Sequence, residues 1–427
     1  MKSRTSQIVL VSAALCGLAA LSGCGVSTPS STSSTHGVTN ITFWNSGPPQ
    51  GVSTIIKAFN AHYHGKYHIK YRVIPYANET EIVNSALSAH RGPDLLEESL
   101  TPSAPYAYDG VEVPIAPILK MGGIKPSIDF PSTMWKGTSV NGVHYVAPVA
   151  ALPTMLFYNK SMFKAAGLNP NDPPTTKAEF IHDAEAMTHS ATDTWGYIQE
   201  PAWPNPFLFP SLLGQFGGKE ANPTTRKILF DSTAGQNALQ FEWDTIYKYH
   251  ISPTNASGHE AHDLFIKGKN AMEMTGAYNY PIYKKALGSN LGVALLPVIG
   301  TKSANFLGQN YWWVFKTPSL NSAMKKGLGL FMKFYYDHSL QIAQAGILPT
   351  WEPTLQSTAF KAIPGLPLQA SALSTGVLNP LIPNWGTTST TYLYGQIDLA
   401  LLHKETPTKA LSIADSKMQK EMATLVK

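Results

Sequence analysis

Apolar and polar residues alternate through residues 40–46 (NITFWNS), where Ile41 and Phe43 fall on one side, and this predicts a first β-strand. In 51–65 (GVSTIIKAFNAHYHG), Val52, Ile55, Ile56 and Phe59 recur at helical spacing and Gly65 supplies a stop. The run 67–76 (YHIKYRVIPY) returns to a strand, 79–90 (ETEIVNSALSAH) reads as a helix, and 92–99 (GPDLLEES) as a short strand opening into a loop. Residues 142–167 read as a hairpin-like entry, a strand and a short helix. Helical signals recur at 175–190, 233–250, 258–268, 320–345 and 406–425, with strands at 290–298 (NLGVALLPV) and 311–316 (YWWVFK) between them. Strand, helix, strand in this order predicts an α/β fold on mostly parallel sheets.

Ahead of these elements, Lys2 and Arg4 precede an apolar run over 8–21, closed by Leu21-Ser22-Gly23-Cys24. That order is the layout of a secretory signal, and the run is short for a membrane span. The four closing residues resemble the lipobox of bacterial lipoproteins, which implies a signal peptide over 1–23 and a diacylglycerol on the Cys24 sulfur. The alternative is an ordinary signal with a chance cysteine. Residues 25–37 (GVSTPSSTSSTHG) are Ser/Thr-rich and lack Lys, Arg, Asp and Glu, so 24–38 reads as a tether.

Cys16 lies inside the discarded segment and no cysteine follows Cys24, so the exported body must be held by its cores rather than by disulfides. A chain of 427 residues, 43% hydrophobic, is long enough for two domains. Without Lys2 and Arg4 it carries 30 basic and 27 acidic residues, a formal charge of +3. No Lys/Arg cluster or RNA-type aromatic signature points to nucleic acid. Charged residues make up 14%, against roughly 25% in average soluble domains, and an acidic habitat is one reading of that scarcity.

Five stretches, in order along 39–427, resemble the extracellular solute-binding proteins of bacterial ABC importers, the family that includes maltodextrin and glycerol-3-phosphate binders. They are ITFWNS with the helix ending AFNAHY; MLFYNKSMFKAAGLNPNDPPTTKAEF (155–180); FIKGKNAMEMTGAY (265–278); AGILPT (345–350); and ETPTKAL (405–411). Two of them also have a reading of their own. Gly167 stops a helix, and Thr175 or Thr176 caps the next with Glu179 in reach. Phe265 ends a helix, Gly268 caps it, and 271–274 form a buried strand that delivers Gly276 and Tyr278 to its end, where open α/β sheets bind ligands.

The resemblance implies a two-lobe periplasmic-binding-protein fold of type II, with the ligand cleft between lobes and hinge closure around the ligand. By analogy lobe 1 comprises 39–150 plus 300–337 and lobe 2 comprises 151–299 plus 338–427, with crossings near 148–153, 300 and 336–339. It also implies a monomer that delivers a sugar or oligosaccharide to ABC permease subunits, with no cofactor.

Sugars offer hydroxyl edges and apolar faces, so their sites combine flat rings with a few planar hydrogen-bonding groups. Candidates in loops that the family places at the cleft are Trp44, Asn45, Tyr76, Glu97, Glu98, Trp203, Gly276, Tyr278, Gln309, Trp312, Trp351 and Trp385. Of the adjacent Trp312 and Trp313, strand alternation sends only one toward the cleft, and Trp312 is the candidate. Glu97 and Glu98 read equally as hydroxyl acceptors or as a solvated acidic pair. Trp135, Trp195, Trp243 and Trp313 read as core.

A phosphate ligand calls for an arginine fork or exposed backbone N–H groups. PNWGTTSTTYLYGQ contains no Arg, and VAALPT stands where glycerol-3-phosphate binders tend to carry hydroxyls, so a neutral carbohydrate is the expectation, with glycerol-3-phosphate or a glycerophosphodiester as the alternative. A glycan-processing hydrolase is the alternative outside the class. Neither G-x-S-x-G nor H-E-x-x-H occurs. GHEAHD (258–263) sets His259, His262 and Asp263 close together without a further ligand in view, and reads as a polar helix start rather than a metal site.

Overall fold

The computed structural model describes residues 37–46, 51–75, 78–99, 110–201, 205–256, 260–382 and 384–424. The signal, the tether through residue 36 with Cys24, Tyr76, Trp203 and His259 lie outside the described residues. Residues 38–427 form one compact unit. Among the described residues no helix is long and apolar enough to cross a membrane.

Twelve strands are present among the described residues: β1 (Thr39–Asn45), β2 (Tyr67–Val73), β3 (Leu95–Ser99), β4 (Ser139–Val140), β5 (Val143–His144), β6 (Val146–Asn159), β7 (Trp195–Tyr197), β8 (Asn270–Gly276), β9 (Leu291–Ala294), β10 (Asn305–Val314), β11 (Leu348–Pro349) and β12 (Gly376–Val377). β4 and β5 form the small hairpin ahead of β6. The main sheet runs β2-β1-β3-β10-β6-β8-β7, with β9 and β11 beside β6 and β12 beside β10. It is mixed. The expected parallel pairing holds for β2-β1-β3 and for β7-β8. The long strands β6 and β10 run antiparallel to each other and to β8 and β3 respectively, because each leaves one half of the molecule and enters the other.

Each half has its own core. In the first, Ile41, Phe43 and Leu95 meet Ile55 and Phe59 of the helix Val52–His62 and Leu328 and Phe331 of the helix Ser322–Asp337. In the second, Leu156 and Met272 meet Phe180, Leu208, Leu239, Leu411 and Met418 from flanking helices. The buried set Val52, Ile55, Ile56 and Phe59 is the one that helical spacing predicts. Thr176 accepts from the Glu179 N–H while the Glu179 carboxylate accepts from the Thr176 N–H, so the helix Lys177–Met187 opens with a capping box.

Some elements depart from their local signals. The helical run expected over 320–345 breaks at His338–Ser339, where the Ser339 hydroxyl meets Thr354 Oγ1 at 2.9 Å. The helix Asn205–Gln215 forms with Pro210 inside it, because Phe207, Leu208, Phe209, Leu212 and Leu213 are all buried and burial outweighs the missing donor.

Candidate functional site

Strands β1, β2 and β3 run in parallel register, with Asn45 beside both Val73 and Glu97, so their C-terminal ends finish together. In β1 and β3, an apolar stretch that feeds the core gives way to polar residues: Asn45-Ser46 after Phe43-Trp44, and Glu97-Glu98 after Leu95-Leu96. β10 arrives antiparallel, setting Asn310 opposite Ser99 and Trp312 opposite Glu97.

The result is a buried polar cluster. Asn310 Nδ2 donates to Glu97 Oε1 at 3.2 Å, and the Tyr71 hydroxyl donates to Asn45 Oδ1 at 3.3 Å. Glu97 is 5% exposed, and its Oε2 has no hydrogen-bond partner among the described residues. Burial pushes its carboxyl up to about 7, against the opposing pull of the Asn310 and Asn45 side chains. Burial likewise raises the Tyr71 hydroxyl to about 12, with the Glu97 charge adding to it.

Glu79, first residue of the helix Glu79–Ser88, is 1% exposed and belongs to the same group. Burial pushes its carboxyl up to about 7; the nearby Ser46 side chain opposes the shift and the Glu97 charge adds to it. Sequence reasoning missed Glu79. The signal was an acidic residue in the first turn of a helix that follows a sheet strand, a place where the helix dipole and the strand ends coincide.

The other wall stands at the end of β8. Gly276 pairs with Thr154 of β6, and the single turn Ala277–Asn279 presents Tyr278 half-buried, its ring 5.5 Å from that of Phe207 and its hydroxyl 3.4 Å from Thr275 Oγ1. A Cβ on Gly276 would lie 2.2 Å from the Tyr278 ring and one on Gly308 would lie 3.2 Å from Phe207, so both glycines serve close approach. Gly308 and Leu152 are partners across β10 and β6. Two residues on from Gly308, on the same side of the strand, stands Asn310. The crossing strands thus carry a half-open line, Leu152, Gly308 and Asn310, that joins the Phe207–Tyr278 wall to the Glu97 wall.

The remaining candidates fall as follows. Glu98 is 0% exposed, opposite Tyr311, so the acidic pair is buried rather than solvated. Trp44 packs with Ile74, Leu96 and Trp313, its ring 4.6 Å from the Arg72 guanidinium carbon. Trp312 and Trp313 do point to opposite faces, yet both are buried. Trp312, 0% exposed, packs edge-on to Phe43 at 5.2 Å and Tyr335 at 5.0 Å in the first core, because the apolar helix Ser322–Asp337 covers that face. Trp351 stacks on Tyr336 at 4.9 Å, and Trp385 is buried in the second core. Gln309 is buried, its Nε2 3.9 Å from Met134 Sδ. His262 Nδ1 lies 2.8 Å from the Tyr283 hydroxyl, and among the described residues no group of three or more metal-ligating side chains comes together.

Residues 54–366 match the family of bacterial extracellular solute-binding proteins. The chain belongs to that family. Among its relatives, the sn-glycerol-3-phosphate-binding periplasmic protein UgpB of Brucella melitensis is 26% identical over 325 residues, 69% of this solute-binding protein and 72% of UgpB. The diacetylchitobiose binding protein DasA of Streptomyces coelicolor is 23% identical over 404 residues, 90% of each chain. Two solved structures share the fold of this solute-binding protein. The cyclic α-maltosyl-1,6-maltose binding protein of Arthrobacter globiformis has a TM-score of 0.76 at 19% identity and covers 91% of this chain and 100% of its own. The Thermotoga lettingae ABC transporter solute-binding protein bound with α-D-tagatose has a TM-score of 0.75 at 22% identity, with 90% and 100% covered. The fold is therefore the two-lobe α/β type of these periplasmic binding proteins.

Proposed function

We propose that this protein captures a sugar or short oligosaccharide between its two lobes and delivers it to the membrane subunits of an ABC importer, without catalysis. The observation that carries this reading is the cluster at the strand ends: the Asn45 and Asn310 amides and the Glu97 carboxyl are planar hydrogen-bonding groups, and Glu97 Oε2 is left without a partner among the described residues. Such an atom is costly to bury alone, and a ligand hydroxyl relieves it. Tyr278, with Phe207 behind it, supplies a ring for the apolar face of a sugar. Contacts to both walls exist together only when the lobes approach, so ligand shifts the population toward the closed form.

Lobe 1 is drawn as 39–150 plus 300–337, extended to about residue 351 because Ile342 and Trp351 pack in the first core; lobe 2 is 151–299 plus the rest. The N-terminal pattern supports a lipid on Cys24 as the tie to the cell membrane, outside the cytoplasm, with the protein acting as a monomer. Cys24→Ala would then release the protein into the medium.

A second reading, binding of sn-glycerol 3-phosphate, is favoured by the UgpB relatives. The groups at this wall, Asn45, Glu79, Glu97 and Asn310, include no cation to pair with a phosphate dianion, and any ionised share of the two acids repels it. A thermal-shift panel decides, since a ligand of the native state raises the unfolding midpoint by mass action. A midpoint raised by neutral sugars and unmoved by glycerol 3-phosphate is the expected result, and the reverse overturns the sugar reading. Loss of a responding oligosaccharide to cleavage products on chromatography would overturn the non-catalytic one.

A further inference from the structure

Away from the strand-end cluster, a cavity of ≈570 Å³ is lined by the chain end of the helix Ser132–Lys136, the turn after the helix Asn205–Gln215, the segment ahead of β10 and the stretch around β12. Three lysines reach it from three of these elements: Lys136, Lys219 and Lys302. None of them forms an ion pair among the described residues, where the paired lysines are Lys248, Lys333 and Lys409.

The one acid in the lining is Glu220. It is buried, the Tyr394 hydroxyl donates to its Oε1 at 3.0 Å, and its Oε2 has no partner among the described residues. Burial pushes this carboxyl up to about 7, so in mildly acidic solution it is largely uncharged and does not balance the three lysines. A concavity walled by one sign of charge concentrates ions of the other sign. Its volume lies within the range of small-molecule sites, and Val377 and Leu378 give it an apolar wall.

We propose that this cavity is a second binding site, for a phosphate-bearing small molecule or headgroup, held by Lys136, Lys219 and Lys302 and distinct from the solute cleft. It shares no lining residue with the strand-end cluster. The anionic group sits among the three ammonium groups, and the body of the ligand lies on Val377 and Leu378.

The test is titration calorimetry of the full chain with inorganic pyrophosphate at low ionic strength, beside co-sedimentation with phosphatidylglycerol vesicles and neutral phosphatidylcholine vesicles. The same measurements are made on K136Q/K219Q/K302Q and on Glu97→Gln, each checked for an intact unfolding transition, with Lys219→Glu as a milder single change. Saturable pyrophosphate binding, at least tenfold weaker in the triple variant, weakened in Lys219→Glu and unchanged in Glu97→Gln, supports a soluble phosphate ligand. Lysine-dependent pelleting with phosphatidylglycerol alone supports a lipid headgroup. Absence of both, survival of either in the triple variant, or loss in Glu97→Gln overturns the proposal.

Discussion

Asn310, on a strand shared by both halves, donates its side-chain amide to Glu97 at the end of β3, and this 3.2 Å bond fixes one carboxylate oxygen while leaving the other unpartnered among the described residues. The polar wall is thereby tied to a strand that pairs with both β3 and β6. Hydrogen bonds to a charged or proton-sharing group are worth about 1.5–3 kcal/mol. In Glu97→Gln, the affinity for whichever sugar responds in the thermal-shift panel is expected to fall tenfold or more. The ligand-free midpoint in mildly alkaline buffer is expected to hold or rise, because a buried acid has been replaced by a neutral isostere. Titration calorimetry and thermal unfolding check the two halves of this prediction, and unchanged sugar affinity would count against Glu97 as a contact.

Acidity is expected to stabilise this fold. Glu79, Glu97 and Glu220 are pushed up to about 7 and Glu273 to about 8, chiefly by burial, from an ordinary value of 4.5. The fold keeps these protons while the unfolded chain releases them, so the folded state binds more protons between those values and stability falls as pH rises through them. The contribution is complete below 4.5 and gone above about 8. Glu179, lowered by the Thr175 and Thr176 hydrogen bonds, acts in the opposite sense at an exposed position. Urea unfolding should therefore show a higher midpoint at about pH 5 than at about pH 8.5. Glu273→Gln, which retains the neighbour Tyr283, should flatten the profile.

Gly276→Ala places a methyl 2.2 Å from the Tyr278 ring. Overpacking of this kind costs about 1–3 kcal/mol, and the ring must move to relieve it. Both denaturant stability and ligand affinity are expected to drop, whereas Tyr278→Ala should weaken ligand binding with a smaller loss of stability. Equal loss of stability in the two variants would mean that Tyr278 is purely a packing residue.

Thr176→Ala removes one arm of the capping box and is expected to cost about 1 kcal/mol in denaturant unfolding. Its helix bears no candidate contact, so solute affinity should not change. A fall in affinity would show that the helix start is coupled to the cleft.

Periodicity made the first core and most of the long helices legible, down to Phe59 on its helix and the Thr176–Glu179 cap. The end of β8 was legible as well, since a buried strand followed by Gly-Ala-Tyr has one place to go. Aromatic side chains in Pro/Gly-rich stretches misled, because local sequence cannot say what packs over them. Trp351 and Trp385 look like loop residues and are core, one stacked on Tyr336 and the other buried beside Leu393 and Ile397. Trp312 shows the limit of alternation: it assigns opposite faces to two neighbours and is silent on whether either face is open. The polar cluster depended on a pairing 213 residues apart, and no local pattern announces that Asn310 will find Glu97.

That distance also bears on how the molecule is made. Asn310 and Glu97 are 213 residues apart in sequence, and β10 fills the place between β3 and β6. Until residue 314 has left the ribosome, the sheet begun by β1–β3 ends on a raw edge, and closing so large a loop is slow. A nascent polypeptide that cannot finish its first sheet early keeps the β3 edge open to stray pairing until β10 arrives.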